Sequence, residues 1–351
     1  MYMTGQVEDE LLVLEFERQL RDLRDEAEQR DAYRRAFERL RSHMAIYPAE
    51  ATRPSDVFES AAATMQSLAR HCLPLAIAVA MHLYPLCALQ CFPLPVMSSA
   101  RLKRSILLWI IRNRSLVLAN AGSERARGAD QPVTAVEANG GIRIDGTCEY
   151  MSLSSVANVV LLKAVFADGT CALCAADLRG DSVRIGEWKF SGRMRLSDTS
   201  SLTFTNHLVP HGRYIRSSVD AGMQCVSSYQ RCWFHLVLAE VYLARLEQLR
   251  RMHRLPQDEP YRAHREQVYS LRARSLRQLD DFSSHDTGSL MRTTSALKLN
   301  VSLLAQTTAA ELRSQGARAS GEAEGLAADA SELCHMQWQP TADAKILSSA
   351  L

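Results

Sequence analysis

The feature that most constrains the fold is a change in hydrophobic period between residues 118 and 212. Thr134 to Glu137 alternates, and Asn139 to Gly141 supplies residues that tolerate the positive φ of a tight turn. Val156 to Phe166 is a long Val-rich run, and an Ala-Asp-Gly turn leads from it into Cys171 to Asp177. Two later segments, DSVRIGEWKF and SSLTFTNHLV, predict further strands. The sequence therefore predicts a compact β unit of about 90 residues.

Helical patterns flank this unit on both sides. Residues 8–47 place apolar side chains at helical spacing among Arg, Glu and Asp, and Ser98 to Ser115 predicts another helix. Three long apolar-faced segments follow Val219. We expect an α+β protein with an N-terminal helical domain (1–117), a middle β domain (118–212) and a C-terminal helical domain (213–351).

Composition favours a soluble protein with a full core. Hydrophobic residues make up 47% and charged residues 23% of the 351 residues, and the net charge is +2. A near balance of charge gives no broad attraction for nucleic acid or a membrane surface. The odd count of nine cysteines, without a recognisable signal peptide, favours reduced thiols in the cytoplasm. We expect neither a zinc nor a redox site at the Cys171-x-x-Cys174 motif, because its flanks alternate like a strand.

One segment, Cys72 to Phe92, is apolar over the length of a bilayer span. It contains Pro74, His82 and Pro85, and no comparable second span follows. We interpret it as a central helix that other helices surround on all sides.

Three short motifs in their chain order resemble the acyl-CoA dehydrogenase superfamily. VEANGGIRIDGTCEYMSLSSVANVVLLKAV looks like the family's hairpin and its Trp-Ile-Thr run, and GRMRLSDTSSLTFTNHLVP looks like its Gly-Met-Arg-x-Ser-x-Thr run. ADAKIL, at Ala342 to Leu347, is similar to a late Arg-Asp-Ala-Arg/Lys-Ile-Leu segment. The resemblance implies a helical domain, a middle β domain and a C-terminal four-helix bundle, with flavin and substrate held between them.

The flavin positions of the family match only in part. Ala121-Gly122-Ser123 is kept, but Leu118-Ala119-Asn120 replaces the Thr-Glu-Pro that precedes it. Tyr150-Met151-Ser152 matches Trp-Ile-Thr/Ser, and a Tyr ring can stack while a Ser hydroxyl can donate to a ring nitrogen. The resemblance thus places Ser123, Tyr150 and Ser152 on a flavin or substrate wall. Because other flavin motifs are degraded, the cofactor is predicted to be none or FAD, with none favoured.

The proton-abstracting glutamate of the family is not found at its usual places. A dehydrogenase needs a carboxylate to remove the α-proton while hydride leaves the β-carbon. The segment after the late motif reads SSAL rather than Glu-Gly-Thr, and Gln230 falls at the alternative place on the first bundle helix. We therefore do not expect dehydrogenation of an acyl-CoA.

Four other residues are candidates for catalysis. His82 lies on the helix that lines the family's substrate cleft. Arg231 and His235 are four residues apart on one helix face, where a base and an anion donor would act together. Glu240 is the nearest carboxylate on the same helix. A structural role is the competing interpretation for each of them.

Three functions remain open. The first is a non-redox enzyme of natural-product biosynthesis, acting by elimination or by ring closure of the aziridine type on a carrier-bound or amino-acid-derived substrate. The second is a flavin-dependent monooxygenase or N-hydroxylase, which needs no dehydrogenase glutamate. The third is a non-catalytic subunit of a heteromeric complex. In all three the partners are a small molecule or carrier protein and a homo- or hetero-oligomer.

Overall fold

The structure is a computed structural model. It describes residues 13–16, 18, 23, 25–43, 46–94, 98–121, 133–190, 192–217, 220–283 and 286–314. The statements below concern these residues. Ser123, Cys334 and the ADAKIL segment lie outside them.

Four helices precede the sheet: α1 (Glu26–His43), α2 (Pro54–His71), α3 (Leu73–Cys91) and α4 (Ser99–Asn113). Helix α3 is apolar on every side, and almost all of its side chains are buried. It is the one described helix that is long and apolar enough to cross a membrane, and 83% of its apolar window is buried inside the protein. Burial by neighbouring elements is what the core-helix interpretation of this segment requires.

The β unit forms an eight-stranded sheet. Its strands are β1 (Leu118–Asn120), β2 (Thr134–Ala138), β3 (Gly141–Met151), β4 (Val159–Phe166), β5 (Cys171–Asp177), β6 (Val183–Trp188), β7 (Ser200–Pro210) and β8 (Tyr214–Ser217). Their order is β6-β7-β3-β2-β4-β5-β8, with β1 parallel to β4. A 3-10 helix, η1 (Gly192–Ser197), precedes β7, and a second, η2 (His211–Arg213), follows it.

The predicted hairpin is confirmed. Strands β2 and β3 pair antiparallel across Asn139-Gly140, and Gly140 has a φ of 86°. Gly141 is required for packing, because a Cβ there would lie 2.1 Å from the Val209 carbonyl oxygen. One boundary differs: β4 begins at Val159, because the amides of Val156 and Ala157 both donate to Leu153 O and form a turn.

Three helices follow the sheet: α5 (Asp220–Met252), α6 (Glu259–Asp280) and α7 (Thr287–Ser314). The side chain of Asp258 caps α6 by accepting a hydrogen bond from the Tyr261 amide, 3.1 Å away. A fourth bundle helix, which the sequence resemblance implies, would fall within residues 315–351, outside the described residues.

Helix α3 joins the layers. It packs against α2 and α5 on its helical side and against β1 and η1 on its sheet side. The helical core contains buried residues of α2, α3, α5, α6 and α7, whereas the sheet has a separate core of its own. The end of the sheet that carries η1 and the last residues of β3 therefore lies at the junction with the helical layer.

Candidate functional site

The last residues of β3 present two side chains away from the sheet core. Strand alternation buries Met151 completely in that core, so Tyr150 and Ser152 point to the opposite side. The Tyr150 side chain is 42% exposed, and its ring stacks on Phe190 with centroids 6.2 Å apart. This is an accessible aromatic surface beside a polar hydroxyl.

The two segments that the resemblance assigned to one flavin wall are neighbours. Ala121, at the end of β1, forms a β-bridge with Met151, and its amide donates to Leu161 O at 2.9 Å. The chain that continues from Ala121 to Ser123 leaves the described residues at this point. Tyr150 and Ser152 therefore lie beside the start of the segment that carries Ser123.

Three hydroxyl groups, from Ser152, Thr199 and Ser197, form what we call the hydroxyl cluster. Ser152 Oγ lies 2.9 Å from Thr199 Oγ1, which lies 2.9 Å from Ser197 Oγ. These two hydrogen bonds use two of the three hydroxyl protons, and the described residues give these groups no further bond. Ser197 and Thr199 are buried, and Ser152 is the most accessible of the three. The cluster can therefore donate one hydrogen bond outward at Ser152.

A buried carboxylate, Asp198, lies next to this cluster. Its Oδ1 accepts hydrogen bonds from Ser154 Oγ, Ser155 Oγ and Trp188 Nε1, and its Oδ2 accepts one from the Ser155 amide. Burial raises the pKa of Asp198, and the hydrogen bonds from Ser155, Ser154 and Trp188 act in the opposite direction. The sequence reasoning missed this residue, although the Ser-rich runs SLSS and SDTSS could have pointed to a shared polar site.

His82, predicted as catalytic, connects α3 to the sheet. The Leu118 amide donates to its Nδ1 at 2.9 Å, and the side chain is completely buried. Burial lowers the pKa of His82 to about 4, against the opposing effect of hydrogen bonds to the backbone of Leu118 and Ile46. These contacts fix β1 on α3, so the structure favours a positioning role for a neutral imidazole.

His235 and Arg231 are brought together on α5, as their spacing predicted. His235 is buried, and its Nδ1 lies 3.5 Å from Ser295 Oγ of α7. Burial lowers the pKa of His235 well below its usual value, and the charges of Lys298 and Arg231 lower it further. A neutral imidazole between two cations contacts α7 here, and no described contact joins it to the hydroxyl cluster.

Glu240, the third candidate on α5, joins three helices. Its Oε2 accepts a hydrogen bond from Arg272 Nε of α6 at 2.8 Å, and its Oε1 accepts one from Gln66 of α2. Arg272 also pairs with Glu59 of α2 at 2.9 Å. Both carboxylate oxygens of Glu240 are thus engaged in holding helices together.

The Cys171-x-x-Cys174 motif lies within β5, as the alternating flanks predicted. Cys171 and Cys174 are both buried and unpaired. Burial raises the pKa of the Cys174 thiol to about 12, so it holds its proton at neutral pH. This thiol is therefore part of the sheet core.

Comparisons with known proteins give a result at the level of structure. No protein-family model and no curated sequence matches the chain. FMN-bound TdsC from Paenibacillus sp. A11-2, a dibenzothiophene monooxygenase, superposes with a TM-score of 0.72 at 17% identity, over 99% of this chain and 97% of that one. The chain therefore has the acyl-CoA dehydrogenase fold.

Two further solved structures share this fold. KijD3 in complex with FMN and dTDP-3-amino-2,3,6-trideoxy-4-keto-3-methyl-D-glucose has a TM-score of 0.69 at 17% identity, over 99% of this chain and 91% of that one. XiaF from Streptomyces sp., in complex with FADH2 and glycerol, has a TM-score of 0.60 at 18% identity, over 90% and 86%.

The acyl-CoA dehydrogenase fold confirms the family resemblance read from the sequence and the predicted α+β class. These three neighbours were solved with a flavin bound. The sequence-based preference for a protein without flavin gains no support from them, and the flavin alternative does. They also bind small molecules, among them indole in a TdsC complex.

Proposed function

We propose that this chain is a flavin-dependent monooxygenase that acts on a small molecule. The observation that carries the proposal is the hydroxyl cluster with its outward donor at Ser152, beside the accessible ring of Tyr150. A flavin ring presents a flat π face and acceptor nitrogens at its edge, which is the complement of this pair. Structural neighbours of the same fold that bind FMN or FADH2 support the same choice.

The residues at the end of the sheet fit a flavin in defined roles. Tyr150 would cover one face or edge of the ring, and its packing on Phe190 holds its orientation. Ser152 would donate to a ring acceptor, with Thr199 and Ser197 fixing the hydroxyl in place. When bound and reduced, the flavin supplies the electrons that split dioxygen, so that one oxygen atom enters the substrate and the other leaves as water.

The same geometry does not favour an acyl-CoA dehydrogenase. Gln230 occupies the place of the alternative catalytic base on α5, and an amide cannot accept the α-proton. The carboxylate of Glu240, further along α5, already binds Arg272 and Gln66. A monooxygenase does not require this base, because its oxidant is dioxygen.

The finer parts of the sequence hypothesis belong to this proposal. We place the protein in the cytoplasm, where soluble reductases supply reduced flavin, and its eight described cysteines are all free thiols. A nitrogen or carbon centre of a small natural-product precursor is the proposed site of oxygen transfer. Non-redox ring closure and a non-catalytic role in a complex are the alternatives that the experiment separates.

The test uses the purified chain with FMN or FAD, an NADH-dependent flavin reductase and isotopically labelled dioxygen, with indole as the first probe substrate. Incorporation of one labelled oxygen atom into product, dependent on both flavin and this chain, is the expected result. Turnover of a substrate without flavin would support the non-redox alternative and overturn the proposal. Activity that requires a second, homologous chain would move the site to the complex.

A further inference from the structure

The turn after Ser152 is held in an unfavourable backbone conformation. Leu153 has a φ of 59° and Asp198, which faces it, has a φ of 51°. A bulky residue with positive φ is uncommon, and such strain costs on the order of 1–3 kcal/mol and persists where the surroundings enforce it. The structure therefore needs contacts that hold residues 153–155 against residues 197–199.

Asp198 provides most of these contacts. The Leu153 and Ser154 amides donate to the carbonyl oxygens of Ser197 and Asp198, at 3.4 and 2.9 Å. The carboxylate accepts both hydrogen bonds of Ser155, from its amide and its hydroxyl, each at 2.7 Å. A side chain that is completely buried and accepts four hydrogen bonds is fixed in one orientation.

Arg30 of α1 adds the charge that balances this carboxylate. Its Nη1 lies 3.9 Å from Asp198 Oδ1, and its guanidinium group lies 5.0 Å from the centre of the Trp188 ring. It also donates to Ser154 Oγ, to Ser200 Oγ and to the Gly186 carbonyl. A buried carboxylate with a nearby cation and a full set of donors is stable without leaving an uncompensated charge.

The position of Asp198 in the chain links this network to the hydroxyl cluster. Ser152 immediately precedes the strained turn, and Thr199 immediately follows Asp198. Their hydroxyls meet at 2.9 Å only while the two segments stay paired. We infer that Asp198 is a positioning residue that orients the Ser152 donor toward the flavin, an inference that rests on the proposed function.

Asp198→Asn tests this inference, because it keeps the shape and removes the charge and one acceptor. The new amide group would point its protons at the hydroxyl donors of Ser154 and Ser155 or at Trp188. We expect the dissociation constant for flavin to rise about tenfold or more, from displacement of the Ser152 donor. The long-wavelength absorption band of the bound flavin should shift toward that of free flavin, a signature that loss of stability alone would not produce.

Glu311→Gln is the matched control. It neutralises a carboxylate that pairs with the buried Arg250 at 2.6 Å, within the helical bundle. It should lower stability while leaving flavin affinity and spectrum at their wild-type values. If Asp198→Asn does not fold, Trp188→Phe removes a single donor to the carboxylate and should weaken flavin binding about threefold.

The outcomes separate the inference from the proposed function. If the wild-type chain binds no flavin, the proposed function and the inference both fail. If the wild type binds flavin and the folded Asp198 and Trp188 variants retain its affinity and spectrum, only the inference fails. A shift in affinity and spectrum with Asp198→Asn, and not with Glu311→Gln, supports it.

Discussion

The helical interior and the end of the sheet use polar residues in different ways. In the helical interior, His82, His235 and Glu240 are buried, and each contacts a neighbouring element. At the end of the sheet, Tyr150 is exposed, and the hydroxyl cluster holds one proton that its own bonds do not use. The first set stabilises the fold, and the second has the capacity to bind a ligand.

This difference shows which of the predicted site residues are candidates for chemistry. A buried polar group must be paired, and pairing leaves it little capacity for substrate. A hydroxyl pair at an accessible strand end keeps a free donor. Substitutions in the two regions should therefore affect different measurements: stability in the helices and flavin affinity at the sheet.

The largest effect is expected for Glu240→Ala. It leaves Arg272 largely buried without its closest partner and removes the acceptor of Gln66. Breaking a buried ion pair in this way should lower the free energy of unfolding by about 3 kcal/mol. Denaturant-induced unfolding followed by circular dichroism measures this value.

Glu59→Ala is the control, because its more exposed carboxylate contacts the same Arg272. It should cost less than about 1 kcal/mol. Equal effects of the two substitutions would contradict the structural role of Glu240. So would a loss of turnover in Glu240→Gln at unchanged stability, since that result would make Glu240 catalytic.

The second prediction concerns pH. The folded pKa of His82, about 4, lies below the ordinary value of 6.5, so the unfolded chain binds a proton that the folded chain does not. The neutral imidazole therefore stabilises the fold fully above pH 6.5, and this contribution falls as the pH drops toward 4. The loss amounts to about 3 kcal/mol. Urea unfolding across this range should show a shallower pH dependence for His82→Leu than for the wild type.

His82→Leu also leaves the buried Leu118 amide without an acceptor, which should cost about 1–3 kcal/mol at neutral pH. Substitution of the exposed His211 by Gln should leave the pH dependence at its wild-type slope. An unchanged slope in His82→Leu would show that this histidine is accessible to protons in the folded state.

The third prediction concerns Ser152→Ala. Removing the accessible hydroxyl of the cluster should raise the dissociation constant for flavin about tenfold, equivalent to about 1.4 kcal/mol, with little change in stability. Ser182→Ala, which removes a hydroxyl bonded to His207 on the same sheet, should leave flavin affinity unchanged. Fluorescence titration of the flavin distinguishes them, and equal affinities would exclude Ser152 as its donor.

The smallest effect is expected at Tyr150. Tyr150→Phe keeps the ring and its packing on Phe190, so flavin affinity should not change. Tyr150→Leu removes the aromatic face and should weaken binding about threefold to tenfold. A large loss with Tyr150→Phe would instead indicate that the phenol hydroxyl binds the ligand.

The sequence predicted elements better than contacts. The strand alternation around Thr134 and the Asn139-Gly140 turn predicted the β2–β3 hairpin, because period and turn chemistry are local properties. The start of β4 was placed three residues early, because Val156 continues the apolar run but belongs to a turn organised by Leu153. Helix α3 was interpreted correctly from its apolar length and its lack of a second span.

Site contacts depend on residues far apart in the chain, which no local pattern records. Ser152 and Tyr150 were found only because they match a motif. Asp198 was missed, because its partners Ser154, Ser155 and Arg30 lie 43 to 168 residues away. The pairing of Glu240 with Arg272 was equally invisible, so burial and prior engagement separated the candidates only in three dimensions.

The central claim is that the end of the sheet binds a flavin through the hydroxyl cluster. Its most direct measurement is an anaerobic titration of the purified chain with oxidised and reduced FMN and FAD, with wild type and Ser152→Ala compared. The account predicts one flavin per chain, bound more weakly by Ser152→Ala. A wild-type chain that binds neither flavin in either oxidation state would contradict it.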